Sequence, residues 1–209
     1  MAVDPGTSGL PVSRSVVTVT TIATTDRLGL ALPGWTTSVS PGAPAQASFS
    51  VDAAQLQSSM IAALSAPYAA AGSAPPSQVM WYDYDGSVLV SLSATTVTLL
   101  DGVVLVAFSL QSDQATGQVI VPLSVGTSAS GMLVGTENRP RGLTQLVDRW
   151  GDAATAAAWS ALLNVAQALA QQGGADSNGA AFVPASITAT TTQLSVLPQA
   201  RQAMDSATS

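Results

Sequence analysis

Residues 78–125 read QVMWYDYDGSVLVSLSATTVTLLDGVVLVAFSLQSDQATGQVIVPLSV. The stretch alternates apolar and hydroxyl residues and is broken at Asp85-Gly86 and Asp101-Gly102, which is the pattern of four strands joined by tight hairpins. Val79 to Asp83 form the first strand, and Asp85-Gly86 are expected as the centre of a type I′ turn, because both central residues of that turn need positive φ and Asp-Gly adopts it cheaply. In the second strand Val88, Val90 and Leu92 face one way and Ser91 and Ser93 the other, with a renewed alternation over 96–100. Residues 103–110 are apolar on both faces, so that strand is expected to be central and covered on both sides. A loop at 113–117 precedes a last strand at 118–125, whose Pro122 points to an edge or a bulge.

Upstream of this block, residues 15–25 are dense in β-branched side chains, and short strands are expected at 35–40 and 46–51 between Pro-Gly breaks. Asp52-Ala-Ala-Gln55 has the spacing of a capping box, and Leu56, Met60, Ile61 and Leu64 recur at helical period, giving a short helix over about 52–66 ended by Pro67. Residues 69–77 form an Ala/Gly/Ser/Pro loop. Downstream, 126–142 has no clear period. Residues 143–150 suit a short helix closed by Gly151, and Asp152 suits the N-cap of a longer one over about 152–172, stopped by Gly173-Gly174. Thr-rich strands follow at 181–183 and 187–197. The fold expected is mainly β: an antiparallel β-sandwich, jelly-roll-like, with two inserted helices. It comprises an extended arm at 1–13, a single domain at 14–198 and a flexible tail at 199–209.

The chain has 209 residues, enough for a core without staples, and no cysteine. Only 9% of its residues are charged, against about 25% in a typical soluble domain. Surface polarity must therefore come from Ser, Thr, Gln and Asn, or the surface must be covered by other subunits. All six cations are Arg, and the net charge of −6 with no basic cluster opposes direct binding of nucleic acid. The opening Met-Ala-Val-Asp-Pro-Gly has no signal-peptide pattern, and no uncharged apolar run is expected to reach the ~20 residues of a membrane span.

With no His, Cys or Lys, the chain cannot assemble a Ser-His-Asp or Cys-His constellation, a Ser-Lys dyad, a P-loop, a Schiff base or a His- or Cys-ligated zinc site. Carboxylate pairs of the glycosidase kind need two acids facing each other across a cleft, whereas the acids here are spread over turns and caps. The chain is therefore read as non-enzymatic and without a cofactor. Asp83 and Asp85, one residue apart before a Gly, resemble the start of a calcium loop, but turn chemistry explains Asp85-Gly86 without a metal and the third acidic ligand and distal Glu of an EF-hand are missing, so the structural reading is preferred and no metal is expected. Candidate partner contacts are Arg139 and Arg141, in a loop whose plainer reading is solvated or bridged to Glu137 or Asp148, and Trp159. Trp159 lies on the apolar face of the longer helix, which packs either on the sheet or on a neighbouring subunit. All four Trp are read as core before ligand platform.

The Ser/Thr/Ala/Val-rich strands, Pro and Gly turns, low charge and extended arm together resemble viral coat and capsid-surface proteins. Residues 79–108 (strand, Asp-Gly turn, two strands, Gly turn, strand) are similar to the β core of protruding domains in some RNA-virus capsids, such as those of caliciviruses. The resemblance implies a virion structural protein, outer-shell, protruding or cementing, assembled in the host cytoplasm. Its partners would be copies of itself or other capsid proteins, with a host receptor or glycan as a further ligand. A surface-adhesion or carbohydrate-binding sandwich, with loops around Asp83, Asp113 and Ser128, is the alternative; a glycosidase-like enzyme using Asp pairs is the third reading.

Overall fold

The computed structural model describes residues 17–18, 36–38, 48–69, 74–84, 86–128, 131–136, 138–174 and 181–199. The arm at 1–13, most of the strand expected at 15–25, Trp35, Asp85, Glu137 and the tail beyond Gln199 lie outside the described residues. The strands are β1 (Val17–Thr18), β2 (Thr36–Ser38), β3 (Ser48–Asp52), β4 (Gln78–Asp83), β5 (Gly86–Leu100), β6 (Val103–Gln111), β7 (Thr116–Ser128), β8 (Gly131–Gly135), β9 (Arg141–Gly142), β10 (Val183–Ala189) and β11 (Gln193–Gln199). The helices are α1 (Ala53–Ser65), prolonged by a 3₁₀ turn over Ala66–Tyr68, and α2 (Thr144–Gln171). The protein is thus mainly β, with two antiparallel sheets, a short helix and a longer one in the C-terminal half.

The larger sheet runs β1-β8-β7-β6-β5-β4, with β9 also on β7; the smaller runs β10-β11-β3-β2. From β4 to β8 each strand pairs with the next in sequence, so the connectivity of the larger sheet is a meander, not a jelly roll's interleaved order. Tight turns explain this: Leu100 pairs with Val103 across Asp101-Gly102, and Gly102 takes the left-handed φ of 70° that the turn requires while Asp101 does not. The first hairpin differs from expectation by one residue. Asp83 pairs with Gly86, so Tyr84 stands in the turn and Gly86 starts the next strand. Tyr84 has no positive φ, which rules out the type I′ form.

β5 is one strand of 15 residues, not two. Its buried positions switch from Val88, Val90 and Leu92 to Thr95, Val97 and Leu99, and the register against β6 shifts between Ser91 and Thr96. A bulge therefore absorbs the break in alternation without ending the strand. Two distant groups hold it: Ser93 N–H donates to the Ser77 carbonyl at 3.1 Å, and Val97 N–H donates to Gln57 Oε1 of α1 at 3.1 Å.

Pro122 sits inside the sheet and not at its edge, because β7 lies between β6 and the β8/β9 pair. β9 pairs with β7 at Val119 and Ile120, and β8 pairs from Ser124 onward. Val125 N–H points toward β6, where it meets the Gly102 carbonyl at 2.9 Å. Backbone direction alternates along a strand, so the position of Pro122 faces the gap between β9 and β8, where a missing N–H breaks no ladder. The segment expected to be irregular, 126–142, contains β8. Met132 and Val134, both 0% exposed, are its inward pair, a period-2 signal too short to stand out among Gly and Ser.

α1 forms as its residues dictate. Gln55 N–H donates to Asp52 Oδ1 at 2.8 Å and Asp52 N–H to Gln55 Oε1 at 3.1 Å, a complete capping box. Leu56, Met60 and Leu64 are buried, while Ile61 is only half-buried. α2 merges the two helices expected around Gly151 into one of 28 residues. Gly151 costs roughly 1 kcal/mol of helix propensity, but a Cβ there would lie 3.5 Å from Pro140 and Val147, so the helix surface is closely packed at this point.

α2 touches β6, β7 and β9 of the larger sheet, β3, β10 and β11 of the smaller, and α1. Being covered from several sides, it buries even a polar side chain: Gln167 is 6% exposed and donates from Nε2 to the Phe182 carbonyl at 3.3 Å. α2 (Thr144–Gln171) is long and apolar enough to cross a membrane by length and composition, and 56% of its most apolar window is buried within the protein, as in the core helix of a globular domain. Leu162, Val165 and Leu169, all 0% exposed, face the shared core. Burial of each such side chain contributes about 1.5–3 kcal/mol.

Candidate interaction surface

The inward face of the larger sheet, with Val104, Val106, Phe108 and Leu110 at 0–1% exposure, is sealed against the helices. The opposite face of β6 is only half-buried at Val103 and Leu105, so the expectation of a strand covered on both sides holds for one face. The pattern of β6 is apolar on both faces, yet the helices pack on only one.

That outward face has a definite chemistry. Cross-strand register places Leu100 beside Val103, Thr98 beside Leu105 and Thr96 beside Ala107, then Leu105 beside Pro122 and Ala107 beside Ile120. Leu100 is 41% exposed. No residue of β5, β6, β7 or β8 is charged. Natural sheets protect their edges with charges, Pro or inward Lys; on β5 to β8 this face has Thr, Ser and aliphatic side chains, and Arg141 of β9, the register partner of Ile120, brings a charge to its border. At its border, β4 ends the sheet without a strand partner on its outer side among the described residues. Met80 is 40% and Tyr82 76% exposed there, with Tyr84 at 85% in the following turn.

Asp83 is engaged by α2. Arg149 Nε and Nη2 donate to its two carboxylate oxygens, each at 2.6 Å, in a fork-to-fork pair that joins the β4-β5 hairpin to α2. Both side chains are about one-quarter exposed, 27% and 24%. Asp85 is outside the described residues, and among the described residues no group of three or more acids gathers at one place. Nothing in the sequence paired Asp83 with a residue so far downstream; the Arg149 guanidinium was the missed participant.

The three candidate contact residues do not converge. Arg139 and Arg141 are exposed, Arg141 pairing through its backbone with Ile120, and neither bridges Asp148. Trp159 is half-buried against the core and donates from Nε1 to the Val134 carbonyl at 3.3 Å, which makes it a packing residue of α2 on the sheet. Trp150 is 3% exposed, and Trp81 packs tilted on Phe108 at 5.8 Å between ring centres.

Two concavities formed by described residues open on the surface. One of about 160 Å³ lies between α1 and α2, beside Leu64, Tyr68, Trp81 and Asn164, below the ~300 Å³ of ordinary small-molecule sites. The other, of about 420 Å³, lies on the outward face where Met80, Leu89 and Gln111 stand side by side across β4, β5 and β6. Comparison with protein-family models, curated proteins and solved structures gives no match for this chain.

Proposed function

We propose that the chain is a structural subunit that self-associates through the uncharged outward face of its larger sheet. The form we favour is the one its sequence style resembles, an outer-shell, protruding or cementing component of a virus particle that meets its own copies or other capsid proteins. The single observation that supports this reading is the absence of charge from four consecutive strands whose outward side chains include Leu100, Val103, Leu105 and Ile120. A face of this kind gains from burial, since removing apolar area from water contributes roughly 25 cal/mol per Å² and β5 to β8 bring no charge to desolvate, the guanidinium of Arg141 standing at the border beside Ile120.

The chain does not need a reaction centre for this role. Its mechanism is packing of one neutral face on another, and its weak mutual repulsion comes from the few charges kept at turns, caps and the Asp83–Arg149 pair.

The test is a charge placed in the middle of the face. Thr98 is exposed and faces the side of Leu105, so Thr98→Asp should leave the fold intact, at a cost within about 0.5 kcal/mol, and should still abolish association. Unchanged association of Thr98→Asp would remove this face from the proposal.

A further inference from the structure

We propose that the concavity at the β4-β5 and β6-β7 end of the larger sheet binds a neutral pyranose. This inference goes beyond self-association and does not depend on it, because the concavity lies at the opposite end of the outward face from Leu100 and Val103.

The lining combines the two surfaces that a sugar ring presents. Met80 and Leu89 are register neighbours, and Tyr82 is the register neighbour of Ser87 on the same side of the sheet. Met80 and Leu89 line the concavity as its apolar floor, and Tyr82, 76% exposed beside the lining residue Ser87, borders it. The sequence contains only three Tyr, and two of them, Tyr82 and Tyr84, stand more than three-quarters exposed on this one hairpin. An aromatic ring held in water by a rigid strand is a large apolar surface at low entropic cost, suited to the C–H face of a sugar.

Polar groups face this floor across the concavity. Gln111, Ser112 and Asp113 line it together with Ser87. Gln111 both donates and accepts, and the Asp113 carboxylate accepts from two hydroxyls at once. The side chains of Ser87, Gln111 and Asp113 have no hydrogen bond to another described residue, so their capacity is available to a ligand. Asp113 is not on a loose loop. Ser112 Oγ accepts from Ala115 N–H at 3.0 Å and from Gln114 N–H at 3.3 Å, while Ser112 N–H donates to the Ala115 carbonyl at 2.8 Å. The loop is thereby fixed before any ligand arrives, which lowers the ordering cost of binding.

Charge selects the class of ligand. Among the described residues Asp113 is the one acidic or basic side chain in the lining, and the nearby Arg149 is already engaged by Asp83. Acidic sugars, phosphates and nucleotides would meet a carboxylate with no cation, whereas a neutral hexose would meet none but favourable contacts. The volume of about 420 Å³ suits a ring of this size, within the ~300–1,000 Å³ of small-molecule sites.

The experiment is ligand-observed NMR titration of the full chain with the methyl glycosides of glucose, galactose, mannose and N-acetylglucosamine, and with N-acetylneuraminic acid as the anionic comparison. At least one neutral glycoside should saturate with Kd on the order of 1 mM, and Tyr82→Ala and Asp113→Asn should each weaken it about five-fold or more. The thermal midpoint should not move, since both side chains are exposed. Thr98→Asp should bind the same glycoside as wild type does. Absence of saturation by every neutral glycoside up to about 50 mM, equal binding of the acidic sugar, or wild-type affinity in both variants would overturn the proposal.

Discussion

Replacing Arg149 by Ala should destabilise the protein by about 2 kcal/mol, placed between the ~0–1 kcal/mol of exposed ion pairs and the ~3–5 kcal/mol lost when one partner of a buried pair is removed. The position between those limits follows from geometry. Two charge-assisted bonds of 2.6 Å link Asp83 and Arg149, which argues for the upper range, but the side chains are 27% and 24% exposed, so water partly compensates either group when its partner is lost. For a domain of this length each kcal/mol moves the thermal midpoint by about 2–4 °C, so a fall of about 4–8 °C is expected. Arg149 also lies over the Trp150 ring, 5.3 Å from its centre, so the single variant overstates the bridge. A double-mutant cycle with Asp83→Asn separates the two, and the coupling energy should be about 1–1.5 kcal/mol. Urea unfolding followed by tryptophan fluorescence is a suitable assay, with Trp150 and Trp81 beside the pair. A coupling energy within about 0.3 kcal/mol of zero would refute the claim that this bridge ties the hairpin to α2.

Three further outcomes follow from other parts of the fold. Asp52→Ala removes the capping-box acceptor of α1 and should cost about 1 kcal/mol in urea unfolding. Thr95→Val should be neutral or stabilising by up to about 1 kcal/mol in the same assay, because the Thr95 hydroxyl is fully buried without a hydrogen-bond partner and its replacement keeps the shape. Gly142→Ala should cost about 1–3 kcal/mol in thermal unfolding, because Gly142 has a φ of 152° and a Cβ there would collide with the Gln118 carbonyl oxygen.

Much of the fold was legible because its signals are local. The alternation of Val88, Val90 and Leu92, the Asp52/Gln55 box and the Asp101-Gly102 turn each act within a few residues, and each appears where the sequence placed it. What was not legible depends on partners distant in sequence. The bulge in β5 survives because Gln57 and Ser77 hold its backbone. Gly151 fails to break α2 because tertiary packing outweighs a propensity of about 1 kcal/mol. Gln167 is buried because α2 lies against both sheets, which a one-sided amphipathic pattern does not reveal. The interaction surface was legible only as a composition. Low charge pointed to a neutral exterior, but its concentration on one sheet face required the register of β5, β6 and β7. Of the two suspected acids, Asp83 is taken up by Arg149 and Asp113 lines a concavity.

The central claim is that the uncharged outward face is buried against another copy or a shell partner, and the most direct measurement is the molar mass of the purified chain by light scattering across a concentration series. The account predicts a mass above the 20.9 kDa of one chain, rising with concentration and returning to a single chain in Thr98→Asp. A mass that stays at one chain at every concentration, with wild type and Thr98→Asp indistinguishable, would contradict it.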